Sequence, residues 1–165
     1  MITDHFSAAD QAFMRQALAL AKEGALSGEV PVGAILTLDG SIVGRGWNQP
    51  ILSHDPSAHA EIQALRNAGA SLKNYRLPES TLYVTLEPCI MCIGAICHAR
   101  VKRLVFAAKD PKRGASEGAL ELAELNFLNH RVNVQGGLMA EASTELLVSF
   151  FRARRRAQTR HESVS

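Results

Sequence analysis

Met14, Ala17, Leu18 and Ala21 recur at the spacing that puts apolar side chains on one face of a helix. Ser7-Ala8-Ala9-Asp10 reads as the capping box that opens this helix, which is predicted to run to about Ser27. The pattern then changes period. Pro31-Val32-Gly33-Ala34-Ile35-Leu36 and Ile42-Val43-Gly44-Arg45-Gly46-Trp47 are strand-like, and Asp39-Gly40 between them is a hairpin turn signal, so the first two strands are expected to pair antiparallel.

The Pro-rich polar stretch from Asn48 to Ser57 predicts a loop that delivers His59 to the start of a second helix, ending near Gly69. Thr81 to Leu86 is β-branched and strand-like, Pro88 suits the first turn of a helix reaching about His98, and Val101 to Ala107 is the next strand. A strand–helix–strand unit with so short a crossover implies parallel strands in a three-layer α/β fold. Beyond it lie a basic loop from Lys109 to Gly118, a short edge strand at Val132-Asn133-Val134, and a last helix over Glu141 to about Ala157. Leu146, Leu147, Phe150 and Phe151 give that helix its apolar face. No internal repeat or linker interrupts the chain, and a single domain over residues 1–165 is expected.

With 165 residues, 47% apolar and 21% charged, the chain can bury a core without disulfide staples. No apolar run reaches the roughly 18 residues of a membrane span, and the first residues lack the basic-then-apolar order of a signal peptide, so a cytoplasmic protein with no membrane partner is expected. The three cysteines, 89, 92 and 97, fall within nine residues, which argues for metal or redox chemistry and against a disulfide framework. The formal net charge is only +2, but six of the 18 Lys and Arg residues lie between Arg100 and Arg113 and five between Arg152 and Arg160.

Cys89 and Cys92 stand at i and i+3, so on a helix their thiols face one way, and a helix N-terminus favours the thiolate a metal requires. His59 can supply a third ligand, leaving a fourth tetrahedral position for water, which is the catalytic zinc pattern. Glu61 is then the candidate acid/base beside an acidified water. Residues i and i+2 diverge by about 200° on a helix, so His59 and Glu61 can share a site only if it caps the helix end. Taken alone, Cys-x-x-Cys also fits a redox pair or half of a structural zinc site closed by Cys97 or His98. A redox pair leaves His59 and Glu61 without a role, and Cys97 reads as a small core residue.

His59-Ala60-Glu61 followed by Pro88-Cys89-Ile90-Met91-Cys92 resembles the signature of the zinc-dependent nucleoside and nucleobase deaminases. Within that superfamily the chain resembles the bacterial tRNA-specific adenosine deaminases of the TadA family, from Ala12 to about Arg156. The likeness is carried by Glu29 to Ala34, Gly46-Trp47-Asn48, His54 to Glu61, Thr85 to Cys92, Ala108 to Ala115, Asn129 to Val132 and Phe150-Phe151-Arg152. It implies a cytidine-deaminase-like α/β/α fold with a central mixed five-stranded sheet, and a homodimer with one Zn2+ per subunit held by His59, Cys89 and Cys92. The implied reaction converts the wobble adenosine of a tRNA anticodon loop to inosine, with zinc hydroxide attacking C6. Glu61 would protonate N1 and then the departing ammonia, and the backbone of Ala60 and Cys89 would help hold the base. The resemblance also implies substrate contacts for Asn48 and Asp110, which otherwise read as turn residues. Pro111 and Cys97 depart from the family pattern.

The basic loop residues Lys109, Lys112 and Arg113, and the tail residues Arg152, Arg154, Arg155, Arg156 and Arg160, exceed what a helix dipole needs and suggest phosphate contacts. Phe150 or Phe151 is a candidate surface for stacking an extruded base, with at least one of the two expected in the core. Two other functions fit parts of the pattern. One is deamination of a free base or nucleoside, guanine first, which needs no phosphate track. The other is a non-catalytic zinc-stabilised RNA-binding subunit, which has no use for Glu61.

Overall fold

The alternation of side chains along three strands generates two cores, one on each face of a central sheet. The structure is a computed structural model that describes residues 6–116 and 128–163. Its elements are α1 (Ala8–Leu26), β1 (Gly33–Leu38), β2 (Ser41–Trp47), α2 (Ala60–Leu72), β3 (Thr81–Leu86), α3 (Ile90–His98), β4 (Arg103–Ala108), β5 (Asn133–Gly136) and α4 (Ala140–Glu162). The sheet order is β2-β1-β3-β4-β5; β1 pairs antiparallel with β2 and β3, while β3, β4 and β5 run parallel. Ala34, Leu36, Leu82, Val84, Leu104 and Phe106 point to the face covered by α2 and α3. Ile35, Tyr83, Val105 and Ala107 point to the opposite face, under α1 and α4. This period of two makes the three-layer α/β/α arrangement expected from the sequence.

Local chemistry sets the element ends. The Ser7 hydroxyl accepts from Asp10 N–H while the Asp10 carboxylate accepts from Ser7 N–H, the expected capping box. Asp39 and Gly40 both take positive φ, 50° and 75°, which the two-residue hairpin turn requires. Several boundaries differ from the expectation. α2 does not end near Gly69 but runs to Leu72, closed by Lys73 in the left-handed region and by Asn74 N–H donating to Gly69 O. Pro88 lies before the N-cap and not in the first turn of α3, because its carbonyl accepts from Ala115 N–H. β1 starts at Gly33 and β4 at Arg103, two residues later than expected in each case. α4 extends past Ala157 to Glu162, where Gln158, Arg160 and Glu162 are good helix formers that carry it through Thr159 and His161. In the Lys109 to Gly118 loop, Glu117 and Gly118 lie outside the described residues.

Under the sheet, Asp10 joins α1 to β3 and β4. Its carboxylate accepts from Tyr83 Oη at 2.7 Å and from two Arg103 nitrogens at 2.7 and 3.2 Å. Burial alone would raise the Asp10 carboxyl, but hydrogen bonds from Arg103, Tyr83 and Ser7 N–H more than offset it and hold the group well below the usual carboxylate range. Cys97 is buried in the α2–α3 core, as expected.

Candidate active site

Two helix N-termini meet at one end of the sheet. His59 is the N-cap of α2 and Cys89 the N-cap of α3, both with extended backbone. Capping resolves the spacing problem: His59 sits outside the helix proper, and Glu61, in the first turn, shares its end. The N-cap Cys89 and Cys92 in the first turn of α3 also face together.

The loop before His59 is well tied. Asp55 Oδ1 accepts from Ser57 N–H and Oγ–H at 2.8 and 2.7 Å, and Gln49 N–H donates to Ala58 O. Asn48 Oδ1 accepts from Ala60 N–H at 2.9 Å, so this asparagine caps α2, and the Ala60 donor is committed within the protein. On the sheet side, Gly44 and Gly46 let α2 lie directly on β2. A Cβ at 46 would stand 2.6 Å from Ala64 N and 2.7 Å from Gln63 Cβ, and a Cβ at 44 only 3.0 Å from Ala68 Cβ.

His59 Nδ1 lies 3.6 Å from Cys89 Sγ and 3.6 Å from Cys92 Sγ. Bond lengths of about 2.3 Å for Zn–S and about 2.05 Å for Zn–N at a tetrahedral angle place S and N about 3.6 Å apart, so both sulfur–nitrogen distances match those such an ion would set. Cys97 takes no part, and among the described residues this is the one cluster suited to a metal. Hydrogen bonding from Cys92, and next from His59, brings the Cys89 thiol down to about 3 despite burial. The same bond to Cys89, and then burial, push Cys92 up, so the pair shares one proton that a dication would displace. The bond to Cys89 raises His59. Glu61 is 4% exposed, and burial pushes its carboxyl up to about 7, the range of a group that both accepts and returns a proton near neutrality.

A cavity of about 650 Å³ opens over this centre. His59, Glu61, Cys89 and Asn48 line it with Lys109, Asp110, Lys112 and Arg113 of the basic loop and with Phe151. Asp110 Oδ1 accepts from Lys112 and Arg113 N–H, so its side chain shapes the turn, and Pro111 is accommodated at the cavity wall. Phe151 is 40% exposed and Phe150 half-buried, so neither is the core residue expected. They contact each other edge to face, with centroids 5.5 Å apart. Arg152, Arg154, Arg155 and Arg156 do not line the cavity; they stand exposed on the projecting end of α4.

Two buried carboxylates that were not singled out from the sequence brace loops near the site, and Glu87 also lines the cavity. Glu29 Oε1 accepts from Leu52 N–H at 2.7 Å in the loop before His59. Glu87 Oε2 accepts from Asp110 N–H at 2.9 Å and its Oε1 from Ser116 Oγ–H at 3.0 Å. The available signal was a lone carboxylate between apolar residues, since burying one requires partners.

The MafB19-like deaminase family model matches residues 8–155. A tRNA-specific adenosine deaminase from Haemophilus influenzae is 50% identical over 147 residues, 88% of this chain and 85% of the relative. A solved tRNA:A34 deaminase, studied for A-to-I editing at the wobble position of transfer RNA, superposes with a TM-score of 0.81 at 43% identity, covering 82% of this chain and 99% of that one. A guanine deaminase from Bacillus subtilis is also 43% identical, but it covers 60% of this chain and 64% of its own, with a TM-score of 0.59. From residue 8 to 155, and with its His59–Cys89–Cys92 triad and Glu61 in place, the chain belongs to the MafB19-like deaminase family, in the branch that holds tRNA-specific adenosine deaminases.

Proposed function

We propose that the protein hydrolyses the wobble adenosine of a tRNA anticodon loop to inosine and ammonia, using one Zn2+ per subunit. The observation that carries this reading is the shared cavity: the metal triad and Glu61 open onto the same space as Lys109, Lys112, Arg113 and Phe151. A free purine needs only the floor of that cavity, whereas a nucleotide within RNA brings phosphates for the loop cations and a neighbouring base for Phe151.

His59, Cys89 and Cys92 would hold the zinc ion, which when bound would lower the pKa of a water toward about 7. Glu61 would take a proton from the attacking water and deliver it to the ring nitrogen N1. It then carries the second proton to the amino nitrogen leaving C6, so adenosine and water become inosine and ammonia with Glu61 restored. Burial of the carboxylate keeps bulk water from short-circuiting these transfers. Asn48, through Ala60 N–H, fixes the first turn of α2 that carries Glu61.

Exposed arginines 152, 154, 155, 156 and 160 extend the positive track beyond the cavity on about 12 Å of helix. Exposed Ile51, Leu52, Tyr75 and Ile90 offer apolar area that a second copy can cover, in keeping with a homodimer. Cytoplasmic location follows from a tRNA substrate, and among the described residues no helix is long and apolar enough to cross a membrane.

Assaying ammonia release from guanine, cytidine and an anticodon stem-loop with zinc-loaded protein tests the reading. Release from the RNA alone is expected; release from guanine and not from the RNA would replace it with a free-base deaminase.

A further inference from the structure

Glu87 stands two residues before the ligand Cys89, is 3% exposed, and spends both carboxylate oxygens on the loop that forms the opposite wall of the cavity. Oε2 holds the start of that loop through Asp110 N–H, and Oε1 holds its end through Ser116 Oγ–H. The backbone on either side repeats the attachment: Glu87 N–H donates to Ala108 O, and Ala115 N–H donates to Pro88 O. Between these anchors the loop closes on itself, with Gly114 N–H donating to Asp110 O and the Asp110 carboxylate taking the Lys112 and Arg113 N–H groups. Gly114 completes the seat, because a Cβ there would run into the Glu87 carboxylate and stand 2.6 Å from Asp110 O.

We propose that Glu87 is a positioning residue for substrate selection: it seats the Lys109–Arg113 loop in fixed register with Cys89, so that the cations reach phosphates flanking the base at the metal. The proposal rests on the RNA reading above. A buried carboxylate costs less when its oxygens are filled by hydrogen bonds, and here one surface loop supplies a bond to each of the two oxygens. The seat therefore acts on binding of the phosphate-bearing flanks more than on the chemistry at the base.

The test compares zinc-loaded wild type with Glu87→Leu, Gly114→Ala and the double variant, measuring zinc content, amide hydrogen exchange over residues 109–116, and kcat and KM on the stem-loop. Leu keeps the bulk but offers no acceptor to Asp110 N–H or Ser116 Oγ–H, so each single variant should keep its zinc and raise KM about tenfold or more, with kcat falling less than about threefold. Exchange over the loop should quicken in both. Because both substitutions break the same seat, the double variant should be no worse than the poorer single one. Multiplying KM effects, a kcat loss that follows loss of zinc with KM unchanged, or undiminished loop protection in Glu87→Leu would each overturn the proposal. If wild type deaminates only a free base, the RNA reading and the selection role both fail, while the exchange data still show whether Glu87 seats the loop.

Discussion

Substituting Gly46 by alanine should disable the site from the side facing away from the substrate. The new methyl would stand 2.6 Å from Ala64 N and 2.7 Å from Gln63 Cβ, atoms of the first turns of α2 that move only with the helix. Restoring an ordinary van der Waals separation of about 3.5 Å requires a displacement of roughly 1 Å. That displacement falls on the turn that carries His59 and Glu61, and a 1 Å misplacement of catalytic groups costs on the order of 100-fold in rate. Overpacking alone costs about 1–3 kcal/mol, less than the stability of an ordinary domain, so the variant should fold. Gly44→Ala presses on the same helix further along, at Ala64 and Ala68, and should cost similar stability with a smaller loss of rate. Single-turnover rates on an anticodon stem-loop at saturating zinc, with urea unfolding of each variant, separate the two effects. A Gly46→Ala enzyme that is destabilised yet turns over within about twofold of wild type would refute the claim that β2 sets the position of the catalytic turn.

Asp10→Asn should lower stability in urea at neutral pH by about 2–4 kcal/mol, because Arg103 is left without its buried counter-charge. Since the folded Asp10 carboxyl is held below its unfolded value of about 3.9, its contribution is complete above that pH and is lost as pH falls toward the folded value. The variant should therefore show a shallower acid limb; identical acid limbs would remove the network from the pH dependence. Chelation should abolish turnover and zinc restore it. Because Cys92 and His59 must release protons raised by their surroundings, zinc affinity should fall by at least about tenfold per pH unit on acidification below neutrality, and a pH-independent affinity measured by competition would contradict the ligand set. Truncation after Phe151 should leave zinc content unchanged and weaken stem-loop binding, flattening the slope of log affinity against log salt by at most about 3.5. Equal affinity at low and high salt would remove the arginine tail from the interface.

What was legible in the sequence depended on how local its physical cause is. The capping box at Ser7 and Asp10, the Asp39-Gly40 turn and the β-branched run of β3 are settled within a few residues, and each was readable. The clustering of His59, Cys89 and Cys92 was readable because Cys89 and Cys92 are neighbours on one helical end, and the awkward i, i+2 spacing of His59 and Glu61 itself pointed to a capping position. Helix ends were less legible. Gly69 looked like a stop, but Lys73 took the left-handed turn instead, a choice set by where the chain must go next. Glu87 and Asp110 are 23 residues apart and Asp10 and Arg103 are 93 apart, so their roles as loop seat and interlayer clamp exist only once the sheet has ordered its strands. The place of Phe151 on the cavity wall likewise depends on how α4 crosses the sheet, which its own apolar spacing does not specify.

The central claim, zinc-dependent conversion of a wobble adenosine with Glu61 moving the protons, is tested most directly by sequencing an anticodon stem-loop after incubation with zinc-loaded wild type and with zinc-loaded Glu61→Gln. Inosine reads as guanosine, so the wobble position should change from A to G with wild type and stay A with the variant, both proteins holding one zinc per subunit. An unchanged A with wild type, or full conversion by Glu61→Gln, would contradict it.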